Sequence, residues 1–82
     1  MTRVLVIGAD ERAVRAALTK AGPDDDVVVV DPSAERLEQL YEACQDARLW
    51  LQIGDEQVVP LPDASVDRAL GGESDDLDRV LR

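Results

Sequence analysis

The sequence predicts an α/β domain built on a small parallel sheet of about four strands with three helices. Two uninterrupted apolar runs, residues 4–7 and 27–30, read as strands buried on both faces, the pattern of a parallel sheet. Each is followed by a turn signal and then by apolar residues spaced three and four apart, the pattern of an amphipathic helix. The chain has 82 residues, enough for one small core and too few for a second domain.

The first strand, Arg3 to Ile7, ends at Gly8. From Asp10 the spacing turns helical, with Val14, Ala17, Leu18 and Ala21 on one face and Gly22-Pro23 as the stop. Asp24-Asp25-Asp26 is a solvated turn into the second strand, Val27 to Val30. That strand ends in Asp31-Pro32-Ser33, where Asp31 or Ser33 can cap a helix and Pro32 suits its first turn. The second helix presents Leu37, Leu40, Tyr41 and Cys44 as one stripe and ends near Ala47.

Residues 48–53 alternate, Leu49, Leu51 and Ile53 on one side and Trp50 and Gln52 on the other, which is strand periodicity. Gly54-Asp55 closes that strand. Residues 56–65, with Pro60 and Pro62, form a connection. A fourth strand is expected at Val66 to Leu70, then Gly71-Gly72, then a short helix from Ser74 or Asp75 with Leu77, Val80 and Leu81 on one face. This order of elements is that of a Rossmann-like sheet.

Nine basic residues against eighteen acidic ones, with no His, leave a net charge of -9. Such a surface repels phosphate backbones and anionic lipid, so nucleic acid and membrane partners are disfavoured. With no Phe, one Tyr and one Trp, the core must be aliphatic. A single cysteine, Cys44, makes no internal disulfide, and without His no zinc or Cys-His constellation is expected. No signal pattern or membrane-length apolar run is visible, so a cytoplasmic location is expected.

Over nearly its whole length the sequence resembles the class I S-adenosylmethionine-dependent methyltransferases. The likeness is carried by V4-L5-V6-I7-G8, by V28-V29-V30-D31-P32-S33 and by the stretch G54-D55-E56-Q57-V58-V59-P60-L61-P62-D63-A64-S65-V66-D67. That last stretch is similar to the family's "GDAE-LPFPD-SFD" run, and D78-R79-V80-L81-R82 resembles the segment before its next glycine turn. The resemblance implies strand order 3-2-1-4. It also implies that Asp31 holds the ribose hydroxyls and that Asp55 or Glu56 contacts the adenine amino group. A carboxylate suits the first role because it accepts two hydrogen bonds at once. The same residues also read as ordinary structure, an Asp-Pro helix cap and a Gly-Asp turn.

The opening turn departs from the family. Its G-x-G-x-G pattern falls on Gly8, Asp10 and Arg12, so only Gly8 keeps a glycine, and the acidic residue of the family's first strand falls on Val6. A side chain at Asp10 is expected to fill space that a ligand would use. Asp10 and Glu11 also put two negative charges at a helix N-terminus, where an anionic group would otherwise dock. The turn therefore reads as disabled for the usual cofactor.

Order 3-2-1-4 places the first two helices on one face, since both are right-handed crossovers stepping the same way. The other face then has only the short helix after Gly72 and the 56–65 connection, with the fourth strand as an open edge. A bare sheet face and Arg68 within that strand point to a homodimer or a protein partner. Two functions follow: a methyltransferase-like module without catalysis of its own, or an S-adenosylmethionine-binding subunit that needs a partner to complete its site. A receiver-like phosphorelay domain, suggested by Asp10 and Glu11, lacks a phosphoacceptor after the third strand and a later lysine.

Overall fold

The computed structural model describes residues 2–54, 61, 64–71 and 77–81. Strands β1 (Arg3–Ile7), β2 (Asp26–Asp31), β3 (Leu49–Ile53) and β4 (Arg68–Gly71) form one parallel sheet in the order β3-β2-β1-β4. This is the expected topology. Helix α1 (Glu11–Lys20) joins β1 to β2, and α2 (Ala34–Ala43) joins β2 to β3.

Parallel register sorts the side chains into two layers. Val4 and Val6 of β1, Val27 and Val29 of β2 and Leu49 of β3 meet Val14 and Ala17 of α1 and Leu37, Leu40 and Cys44 at α2. Both long helices therefore lie on one face, as right-handed crossovers in this order require. On the other face Leu5, Ile7, Val28 and Val30 pack with Val66 and Val80, and Leu61, Ala69 and Leu81 close around them. Burying aliphatic residues on both sides of β1 and β2 explains why these strands carry no polar alternation.

The short third helix is expected to start at Ser74 or Asp75, positions that lie outside the described residues. The described residues contain two ten-residue helices and a single helical turn, α3 (Leu77–Val80), in place of a third full helix. Helix α2 also stops sooner, because Asp46 folds back to accept from the backbone N–H of Arg48 and the chain turns into β3. Tyr41 does not join the buried stripe, being 50% exposed.

Two expectations about the fourth strand change. Its outer edge is not wholly open, since Val66 bridges in parallel to Leu81, with the Val66 N–H donating to the Val80 carbonyl. Arg68 pairs in register with Val4, so it stands at the rim of the helix-covered face and not on the bare one. Among the described residues the less covered area lies over β3, where Trp50 and Gln52 are exposed beside a cavity of about 250 Å³ lined by Arg3, Asp26, Val28, Trp50, Leu51, Gln52 and Leu61.

At the opposite end of the strands, Arg48 ties three elements together. Its guanidinium donates to the Ala21 and Gly22 carbonyls after α1 and to both oxygens of Asp46. These bonds and the Arg48 backbone N–H push the Asp46 carboxyl down to about 2. Asp25 is also lowered, by the backbone N–H groups of Gly22 and Thr2. A carboxyl with a lower pKa folded than unfolded adds stability above its unfolded value, and that stability is lost as pH falls through the folded value. Stability should thus fall between about pH 4 and pH 2, measured by circular dichroism, and Asp46→Asn should flatten that slope.

Candidate functional site

The C-terminal ends of β1 and β2 bring together Gly8, Asp10 and Asp31. Gly8 follows β1 with φ +92°, a left-handed backbone that favours glycine, and its N–H donates to the Val30 carbonyl at 2.8 Å. Its carbonyl accepts from the Asp10 N–H at 2.9 Å, which tightens the turn. A Cβ placed on Gly8 would meet no atom within 4 Å, so backbone conformation and not crowding requires the glycine.

Asp10 is the N-cap of α1, and its carboxylate accepts from the Arg12 N–H at 3.0 Å. Its side chain does not come within 4 Å of a Cβ placed on Gly8. What Asp10 does is local. An extended residue with a short acceptor satisfies an amide that the helix leaves without a partner, so the carboxylate turns inward to α1. Glu11 adds a second negative charge in the first turn.

Asp31 closes β2 and is only 1% exposed. One carboxylate oxygen accepts from the Ala9 N–H at 2.9 Å, and the other from the Ser33 N–H at 2.8 Å. The Arg36 guanidinium stands 3.6 Å from the first of these oxygens. Asp31 therefore joins the β1 turn to the start of α2, where Ser33 is the cap. Between the two helices beside this turn is a cavity of about 210 Å³ lined by Ala9, Glu11, Arg36, Gln39, Leu40 and Ala43.

Asp55 and Glu56, the residues matched to the adenine contact, lie outside the described residues. Arg36 was not singled out from the sequence. Its signal is its place in the first turn of α2, where the helix dipole disfavours a cation unless a carboxylate is near. Among the described residues no three His, Cys, Asp or Glu side chains group to hold a metal ion, and no helix is long and apolar enough to cross a membrane.

The parallel 3-2-1-4 sheet is a fold shared with solved methyltransferase structures, as the sequence resemblance implied. No family model matches the chain, and no curated protein matches its sequence. Among solved structures it is similar to a chain of the complex between the Haloferax volcanii Trm112 methyltransferase activator and a candidate methyltransferase, with TM-score 0.75 and 24% identity over 85% of this chain. It is also similar to the YcgJ protein of Bacillus subtilis, with TM-score 0.65 and 27% identity over 85% of the chain. A candidate S-adenosyl-L-methionine-dependent methyltransferase of Methanococcus maripaludis matches all of it, with TM-score 0.73 and 21% identity. The chain spans 31%, 30% and 45% of those three chains respectively.

Proposed function

We propose that this chain is a methyltransferase-like domain that is not catalytic on its own and acts by docking a protein partner or a second copy of itself. The observation that carries this reading is the engagement of Asp31. A carboxylate 1% exposed, with two backbone N–H groups on its oxygens and a guanidinium beside it, is poorly placed to receive a ribose. Asp10 supports the same reading, since its carboxylate occupies an amide at the α1 N-terminus that would otherwise face an incoming anion.

The net charge of -9 turns the reading away from nucleic acid and anionic membranes. One similar structure is itself a complex with an activator protein, which supports a protein partner here. The lone Cys44, buried and unpaired, suits a reducing, cytoplasmic setting.

A second reading rests on the open space at Gly8. In it, S-adenosylmethionine binds through the turn with Asp31, Asp55 and Glu56, and a partner supplies the substrate wall. Methyl transfer depends largely on alignment, so few catalytic groups are needed. Calorimetry separates the two. The unmodified chain is expected to release no heat with millimolar S-adenosylmethionine or S-adenosylhomocysteine, and micromolar binding would overturn the first reading in favour of the second.

A further inference from the structure

The chain has one tyrosine and one tryptophan, and neither is in the core: Tyr41 is 50% and Trp50 58% exposed. Ile53 is 57% exposed, and these three account for all but one of the exposed large apolar side chains among the described residues. All three border one edge. β3 is the outer strand of the described sheet, and Trp50 and Ile53 lie on its opposite faces.

Tyr41 joins them through helix geometry. Arg36, Gln39 and Ala43 of α2 line the cavity shared with α1, so Tyr41, more than a quarter-turn round from them, lies on the flank turned away from α1. Since α2 packs over β2 and β3, that flank overhangs the β3 edge.

Among the described residues no strand pairs with the outer backbone of this edge. The Arg48 carbonyl and the Gly54 N–H bond to β2, so parallel alternation turns Leu51 and Ile53 outward, with no strand beyond them among the described residues. Residues 49–53 contain no charge and no proline, the usual guards of an exposed edge. Around this uncharged strip acidic groups outnumber basic ones, although Arg3 stands 3.8 Å from Asp26 and Arg48 precedes the strand. Glu38 and Glu42 are exposed on α2, Asp26 accepts from the Trp50 indole N–H, and the strand runs on in sequence into Asp55-Glu56.

We infer that β3 is a docking edge at which an extended partner segment, alternating apolar and basic side chains, adds as a strand and lays its apolar residues against Trp50, Ile53 and Tyr41. This inference rests on the partner-docking reading above and names its surface and its partner's chemistry. The main-chain bonds supply affinity and the alternate side chains selectivity. Aromatic anchors ringed by charge are the composition of an interface centre. Charge complementarity favours a basic segment over a second copy, which would bring the same acidic groups to the contact.

The test uses a displayed library of random ten-residue peptides selected against the whole chain, followed by hydrogen exchange with the best binder. The expected result is enrichment of alternating apolar and Lys/Arg sequences whose binding protects the Leu51 and Ile53 amides and weakens as salt rises. Trp50→Lys and Ile53→Lys change exposed residues, so the fold should persist while the peptide binds about tenfold or more weakly.

Enriched peptides without that pattern, protection elsewhere, or no enrichment would overturn the inference. A concentration-dependent dimer in sedimentation, lost in Trp50→Lys, would also overturn it by giving the edge to a second copy while leaving the docking reading intact. Micromolar S-adenosylmethionine binding with intact peptide docking would instead overturn only the non-catalytic reading.

Discussion

Replacing Asp31 with alanine is expected to lower the unfolding free energy by about 2 to 4 kcal/mol with no ligand present. The Ala9 and Ser33 N–H groups lose their acceptor in a partly buried turn, and Arg36 loses its anion. Each unsatisfied donor costs about 1 to 3 kcal/mol, the lower figure applying where water can reach. A small domain holds about 5 to 15 kcal/mol in all, so the midpoint of thermal unfolding should fall by about 10 °C or more. Asp31→Asn should not restore it, because an amide keeps one acceptor oxygen and turns a donor toward one of the two N–H groups. Circular dichroism melts of the three proteins measure this. A carboxylate reserved for a ligand, with no part in the fold, would leave the apo midpoint nearly unchanged.

Asp10→Gly is expected to act in the opposite sense, with little effect on stability and a large one on ligand binding. Glycine is a tolerated N-cap, so the change costs only a few tenths of a kcal/mol. It frees the Arg12 N–H and removes a carboxylate from the mouth of α1, while the space beside Gly8 is already open. Affinity for S-adenosylhomocysteine should rise at least about tenfold, near 1.4 kcal/mol, read by calorimetry at submillimolar ligand. Adding Arg12→Gly should contribute little more, since Arg12 is exposed. An affinity unchanged in Asp10→Gly would move the obstacle to Asp31 alone. Of the steric and electrostatic explanations that the sequence suggests, this prediction rests on the electrostatic one.

What could be read in the sequence was what local chemistry decides. Four valines in a row admit few settings besides a strand buried on both faces, and Gly8 after an apolar run marks the turn by its need for positive φ. Asp10 was legible as a charge at a helix start because a cap is a contact over two residues. Long-range geometry was not. That Asp31 turns inward depends on Ala9, 22 residues earlier, which pairing of β1 with β2 carries to its side.

Tyr41 was misplaced for a related reason. A helix stripe predicts burial only as far as there is a sheet beneath it, and the described sheet ends at β3. The reach of Arg48 to the carbonyls after α1 likewise spans 26 and 27 residues and leaves no local signature. Val80, at the end of α3, and Leu81 just after it both meet the second core layer, as their place on one apolar face implied.

The claim on which the account turns is that the acidic groups at the β1 turn serve the protein's own amides. Titration of the isotope-labelled unmodified chain with S-adenosylhomocysteine, followed through the Ala9, Arg12 and Ser33 amide resonances, tests it most directly. These signals should stay in place up to millimolar ligand, held by Asp31 and Asp10. Saturable shifts of all three at micromolar ligand would contradict it.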